Sequence, residues 1–139
     1  MEKSIKLPIT GCKLIDDQHR SFFYIVKEID ELIKHNKLNL SILRDKIKEL
    51  DLYVIEHLDA EEHLMRSINY PQYKVHLNSH NIFRNWITEY RDFVYDKYDL
   101  NLGDEKILED CLITWLFDHI TTADMELAEF IKENNINPN

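Results

Sequence analysis

Glycine and proline are scarce in this chain. Two glycines (Gly11 and Gly103) and three prolines (Pro8, Pro71 and Pro138) serve 139 residues. A β-sandwich or barrel needs many tight turns, so this supply nearly excludes one. Cysteine is equally sparse. Cys12 and Cys111 are too few for a disulfide framework, and neither sits beside a clear activating base, so both are read as buried or incidental thiols. No apolar run approaches the roughly 18 residues needed to cross a bilayer, and residues 1–10 lack the apolar core of a secretory signal. The expectation is a cytoplasmic protein with no membrane association. Positive charge is also short: 17 Lys and Arg against 26 Asp and Glu leave a net charge of -9. DNA or RNA would be repelled, which argues against nucleic-acid binding. What remains is 44% hydrophobic and 31% charged residues, the balance of one ordinary globular domain with a solvated acidic surface. Residues 1–139 are read as that domain, with an N-terminal arm over 1–11 and a frayed tail over 134–139.

The few breakers divide the chain into four periodic runs. Helices are expected at about 16–35, 40–66, 71–98 and 104–133. Pro71 suits a first helical turn, Asn39 or Ser41 could cap the second helix, and Asp104 lies near the start of the fourth. In the first run Ile15, His19, Phe22, Val26, Ile29 and Ile33 recur at alternating steps of four and three. The second reads Leu43, Ile47, Leu50, Val54, His57, Glu61 and Leu64, and the third Tyr73, His76, His80, Phe83, Ile87, Tyr90 and Val94. The fourth begins Leu108, Leu112, Trp115, His119. Such stripes face inward in a bundle. Short connections favour antiparallel neighbours, so the expected fold is all-α, an up-down-up-down antiparallel four-helix bundle.

The stripes contain residues that do not belong in a core. His19, His57, Glu61, His76, His80 and His119 stand where Leu or Ile is expected, and a buried carboxylate or imidazole without a partner costs several kcal/mol. His57 and Glu61 are four apart, as are His76 and His80, so each pair points one way from its helix. In an up-down-up-down bundle all six positions fall near one end and can converge. His35 and His63 serve as controls. The first is about 160° around its helix from His19 and the second about 120° from His57, so both are read as surface or rim residues.

Asp124 follows His119 by five residues, about 140° on an ideal α-helix. Leu127 and Ile131 continue in phase with Asp124, and a one-residue π-bulge between 119 and 124 would bring His119 and Asp124 to one face. The alternative seam through Ala123, Leu127 and Phe130 needs no bulge and leaves Asp124 outside. The bulge is the reading adopted, because a second carboxylate supplies charge that the site would otherwise lack. Five imidazoles and two carboxylates suit borderline first-row cations, iron above all. Seven ligands exceed one tetrahedral zinc site, so two metals are implied, with the carboxylates between them. A structural zinc, or a set of satisfied core histidines, is the bland alternative. Glu-x-x-His, His-Glu-x-x-His and Cys-x-x-Cys-His are all absent, which sets aside ferritin-like, zincin and c-type haem sites.

These motifs resemble those of the hemerythrins, in particular the single-domain bacteriohemerythrins. The matching residues are Asp16-Asp17-Gln18-His19, His57-x-x-x-Glu61-Glu62, His76-x-x-x-His80 and His119-x-x-x-x-Asp124, with Met65 and the Tyr70-Pro71 corner, spanning about Gly11 to Ile131. The resemblance implies a core di-iron site, two iron ions bridged by oxide or hydroxide. His76, His80 and His119 would hold one iron. His19 and His57 would hold the other and leave one position open, while Glu61 and Asp124 bridge both. It implies reversible binding of dioxygen at the open position, with Leu116 and Trp115 walling a dry pocket. Leu58 stands where relatives often carry Phe, and the arm lacks a tryptophan common in bacterial members. The function expected is an oxygen carrier, store or scavenger, not an enzyme. The alternatives are a di-iron enzyme acting on peroxide or nitric oxide, a sensor of oxygen, redox state or iron acting through a separate protein, and a labile iron reservoir. No protein partner is identified.

Overall fold

A computed structural model describes residues 9–98 and 102–137. Within them, the side chains of Leu102, Asp104, Glu105, Glu109, Leu112, Ile113, Leu116 and Phe117 are outside the description. The expectations placed on Asp104 as a cap, Leu112 as core and Leu116 as pocket wall therefore fall outside it, as does the arm over residues 1–8.

The described residues are all-helical, with no strand among them. Four rods account for the helices among the described residues. The first is α1 (Lys13–Lys34); the second is α2 (Leu40–Tyr53), a π turn (Val54–Leu58) and α3 (Asp59–Ser67). The third is α4 (Tyr73–Tyr95), and the fourth is α5 (Leu102–His119), a second π turn (Ile120–Asp124) and α6 (Met125–Glu133). α1 packs against α2 and α5, and α4 packs against α2 and α3. No helix is long and apolar enough to cross a membrane among the described residues.

Side chains explain where the rods begin and end. α1 starts at Lys13, earlier than the apolar stripe indicates. The Asp16 carboxylate reaches back to accept from the backbone N–H of Thr10 (2.9 Å) and Gly11 (3.1 Å) and from the Thr10 hydroxyl (2.8 Å). Gly11 makes that turn possible at φ +90°. Asn39 caps α2 by accepting from the Ile42 N–H at 2.9 Å. With so little glycine, asparagine takes the left-handed position after three helices: Asn36, Asn69 and Asn135 have φ of 53°, 54° and 54°. Each is followed by the long bond of a Schellman motif, from Lys37 to Leu32, Tyr70 to Met65 and Ile136 to Ile131. The last of these carries residues 134–136, expected as part of a frayed tail, back onto the bundle, where Ile136 packs against Cys12 and its neighbours.

Two further boundaries differ from expectation. Pro71 lies in the turn before α4, not in its first helical turn, because the Schellman turn at Tyr70 runs on through a Tyr73 N–H to Tyr70 carbonyl bond of 3.2 Å. α4 stops at Tyr95 and not 98, where the Arg44 guanidinium donates to the carbonyls of Tyr95 (3.3 Å) and Lys97 (2.9 Å).

The core comes as two apolar clusters. One includes Phe22, Val26, Leu50, Leu58, Phe83, Ile87 and Ile120; the other includes Cys12, Ile15, Leu64, Met65, Tyr70, Leu127 and Ile131. Along every rod the anomalous polar residues stand where one cluster gives way to the other: His19 between Ile15 and Phe22, His57 and Glu61 between Val54 and Leu64, His76 and His80 before Phe83, His119 and Asp124 before Leu127. A polar layer thus lies across the apolar core.

Candidate metal centre

All seven predicted ligands are buried, none more than 6% exposed. Together they form two groups whose ligand atoms lie within 4.8 Å of one another: Glu61, His76, His80, His119 and Asp124 in one, and His19, His57 and Glu61 in the other. His35 is exposed and faces Glu31 at 3.3 Å, and His63 is exposed, so neither control joins the site.

The two π turns bring the fourth and second rods into register. Ile120–Asp124 inserts the extra residue that returns Asp124 to the face of His119, and Ala123 is left only partly buried. The π turn at Val54–Leu58 carries His57 and widens the buried face of its rod, so that Leu58, Glu62 and Met65 are buried beside His57, Glu61 and Leu64. It was not expected, because the alternation of three and four runs through it unbroken.

In the larger group three imidazoles present Nε2 to one point. His119 Nε2 is 3.2 Å from His76 Nε2 and 3.1 Å from His80 Nε2. An ion with bonds of about 2.1 Å sets its donors roughly 3.0–3.4 Å apart, depending on geometry. The His80 ring is oriented from behind, because its Nδ1 meets Glu62 Oε2 at 2.8 Å. A carboxylate only accepts, so Nδ1 carries a proton in this contact, and a ring bound to a metal would offer its Nε2 lone pair to the centre. Arg84 holds Glu62 in turn at 2.7 Å and Asp59 at 2.9 Å. His119 Nδ1 meets the Ser79 hydroxyl at 2.9 Å, and its ring stacks on Trp115 with centroids 4.5 Å apart. Glu62, Ser79 and Arg84 are functional candidates that the sequence reading did not single out as such. The only signal was an acid next to Glu61 and an arginine four residues after His80.

The smaller group is barer. The His19 and His57 rings have centroids 5.9 Å apart, and neither Nδ1 has a hydrogen-bond partner among the described residues. Tyr53 stacks on His57 with centroids 4.8 Å apart.

The two carboxylates stand between the groups, and each divides its oxygens. Asp124 Oδ2 lies 2.5 Å from His19 Nε2, while its Oδ1 lies 3.0 Å from His76 Nε2 and 2.9 Å from His119 Nε2. Glu61 Oε1 lies 2.5 Å from His76 Nε2 and 3.2 Å from His80 Nε2, while its Oε2 faces His57 Nε2 at 3.8 Å. Both Glu61 oxygens and Asp124 Oδ1 accept no hydrogen bond of normal geometry.

Charge follows this layout. Burial would raise the Glu61 carboxyl, but the imidazoles of His119, His76 and His80 hold it well below the carboxylate range. Burial and Glu61 would raise Asp124, and His119 and His19 bring it down to about 2. Burial works against a charge on His119, yet Asp124 and then Glu61 raise it to about 9. At His57 burial wins and lowers the ring to about 4. Burial keeps the Tyr53 hydroxyl protonated to well above its usual range, with Glu61 and Asp124 adding to the effect. Two anions therefore face five rings without hydrogen bonds to satisfy them all. Several kcal/mol for each unpaired group would approach the whole stability of a domain, about 5–15 kcal/mol. Cations between the groups remove that cost, and this donor set of imidazole nitrogen and carboxylate oxygen fits them.

The proposed pocket residues have mixed placements. Leu58 is fully buried beside His57. Trp115 is half-buried: one face lies on His119, and the indole also lines a surface groove of about 410 Å³ with Trp86, Cys111 and Thr114. Cys12 and Cys111 are free thiols, and burial, with Asp110 nearby, pushes the Cys111 thiol up, away from reactivity.

Comparison with known proteins agrees with this geometry. The chain is 29% identical to bacteriohemerythrin of Pseudomonas aeruginosa (strain LESB58) over 125 residues, 90% of this chain and 78% of that protein. Over 122 residues it is 29% identical to bacteriohemerythrin of Stenotrophomonas maltophilia (strain R551-3), covering 88% of this chain and 76% of that one. A hemerythrin-like protein of Naegleria gruberi is 28% identical over 84% of this chain and 82% of its own length. The Hemerythrin HHE cation binding domain matches residues 10–131, which takes in the whole polar layer and both apolar clusters' share of each rod, and the chain belongs to the hemerythrin family.

Proposed function

We propose that this protein binds dioxygen reversibly at a pair of iron ions, as a cytoplasmic oxygen carrier, store or scavenger and not as an enzyme. The observation that carries the reading is the division of the two carboxylates. Asp124 and Glu61 each turn one oxygen to the three-imidazole group and the other to the two-imidazole group, as bridges between two ions would. His76, His80 and His119 would hold one iron and His19 and His57 the other, with Glu61 and Asp124 shared between them and an oxide or hydroxide as a further bridging group. The second iron, with fewer protein ligands, would leave room for dioxygen. The bundle we infer is up-down-up-down: the first and third rods pass from the cluster of Ile15 and Tyr70 toward that of Phe22 and Phe83, and the second and fourth pass back.

A ferrous pair, when bound, supplies two electrons to dioxygen and regains them on release. The chain's own part is to hold, orient and keep dry. Leu58, buried beside His57, and Trp115, stacked on His119, form the described part of the proposed wall that excludes water. Nearby protic groups are already engaged, which favours binding over turnover: Tyr53 donates to the Gln18 carbonyl at 2.7 Å, Ser79 faces His119, and Glu62 is held by His80 and Arg84. No uncommitted acid stands ready to deliver protons among these.

The test is anaerobic loading with ferrous iron, then air, then vacuum. A visible ligand-to-metal absorption band is expected to appear with air and vanish under vacuum. A band that never forms, or that decays within seconds to a stable ferric spectrum, would replace this reading with the enzymatic or sensing one.

A further inference from the structure

One side chain ties His57 to the backbone just before His19. Tyr53 is the last residue of α2, immediately before the π turn that carries His57. Its ring lies on the His57 ring, with centroids 4.8 Å apart and planes 25° apart, and on its other side packs against Phe22 at 4.8 Å and 21°. Its hydroxyl donates at 2.7 Å to the carbonyl of Gln18, the peptide group that leads directly into His19. Nδ1 of His19 and of His57 finds no hydrogen-bond partner among the described residues. In the three-imidazole group, by contrast, Nδ1 of His80 and of His119 is held by Glu62 and Ser79, and only that of His76 finds no partner among the described residues. Rings without such a partner can rotate about their side-chain bonds, and ligand orientation is then left to packing.

We propose that Tyr53 is the positioning residue of the two-imidazole half, fixing the His57 ring by stacking and the His19 backbone by its hydroxyl, so that the second rod and α1 present their nitrogens at one point. The inference rests on the two-metal reading above and adds the device that sets its weaker half. The tie spans rods: α1 cannot slide past the second rod without breaking the Tyr53 to Gln18 bond, and His57 cannot turn without displacing a ring clamped between it and Phe22.

Tyr53→Phe tests this, because it keeps the ring and removes only the tie. Metal-free protein is titrated anaerobically with ferrous iron, and retained iron is counted. Wild type is expected to hold two ions. In Y53F the first should bind within twofold of wild type and the second roughly 10-fold or more weaker, the scale typical of lost outer partners of metal ligands. Equal weakening of both ions, or none, overturns the proposal, since a purely structural role would not distinguish them. Histidine-ring NMR of the metal-free protein gives a second readout that does not depend on iron. The His19 and His57 ring signals should shift or broaden in Y53F while those of His80 and His119 stay in place. Unchanged His19 and His57 signals overturn the proposal even if wild type itself fails to hold an ion pair, an outcome that would sink the two-metal reading separately.

Discussion

The two halves of the polar layer are built differently. In the three-imidazole half, Glu62 and Ser79 hold two rings from behind, Arg84 holds Glu62, and Trp115 lies flat on His119. The nitrogens there already stand 3.1–3.2 Å apart. In the two-imidazole half, neither ring has an Nδ1 partner among the described residues, against one ring of three, His76, in the other half, and the two rings stand 5.9 Å apart at their centroids. Burial lowers His57 to about 4 against only partial compensation by Glu61 and Asp124, whereas at His119 Asp124 and Glu61 outweigh it and raise the ring to about 9. The difference shows how one protein can make a firm metal position and an adaptable one from the same side chains. A ring locked by outer hydrogen bonds has little freedom left to lose when a metal binds, so the ordered half should fill first. The sparser half has fewer ligands, and that is where a small molecule finds room.

Removing a ligand from the firm half is the largest perturbation. His119→Ala takes away a ring that meets His76, His80 and Asp124. Because Asp124 also serves the other half, iron counting after anaerobic loading should show loss of both ions. His35→Ala, on an exposed ring outside the layer, should leave both in place. Equal losses in the two variants would mean that the buried cluster is not what holds iron.

Removing an outer partner is gentler and separates the halves. Glu62→Ala frees the His80 ring and leaves Arg84 with Asp59 and Asn81. First-ion affinity should fall roughly 10–100-fold, with a smaller change at the second ion. This is the mirror of the Tyr53→Phe result. If Glu62→Ala weakened the second ion more than the first, the contrast between firm and sparse halves would be wrong.

How much of this was legible in the sequence depends on how local each cause is. The four rods could be read from the stripes because packing repeats every three or four residues. The seven polar positions could be read because each one breaks that stripe. The π turn in the fourth rod was visible as a phase conflict, with His119 and Asp124 five apart on one buried face. Its counterpart at Val54–Leu58 raised no conflict, because Val54, His57, Glu61 and Leu64 keep a regular alternation across it. Glu62 could not be assigned for a different reason. Its role comes from His80 and Arg84 on another rod, and its place beside Glu61 in the motif does not say which ring it meets. The same holds for the end of α4, set by Arg44 from the second rod, and for the early start of α1, set by Asp16 reaching back to Thr10 and Gly11.

The π turn in the fourth rod offers the mildest test, because it serves both halves equally. Asp124 reaches His19 through one oxygen and His76 and His119 through the other. If the inserted residue matters only for register, its removal should spare the site. Thr121 is exposed, and its hydroxyl donates to the Asp118 carbonyl at 3.4 Å, outside the polar layer. Deleting it would leave the aspartate four residues after His119, about 40° away on a regular α-helix, still facing inward. Leu127 and Ile131 would follow in the same phase. The expected result is two ions retained, both affinities within a few-fold of wild type, and the two halves affected alike. Loss of the second ion alone would show that the wider turn also aims the carboxylate at His19, and the sparse half would then depend on the π turn as well as on Tyr53.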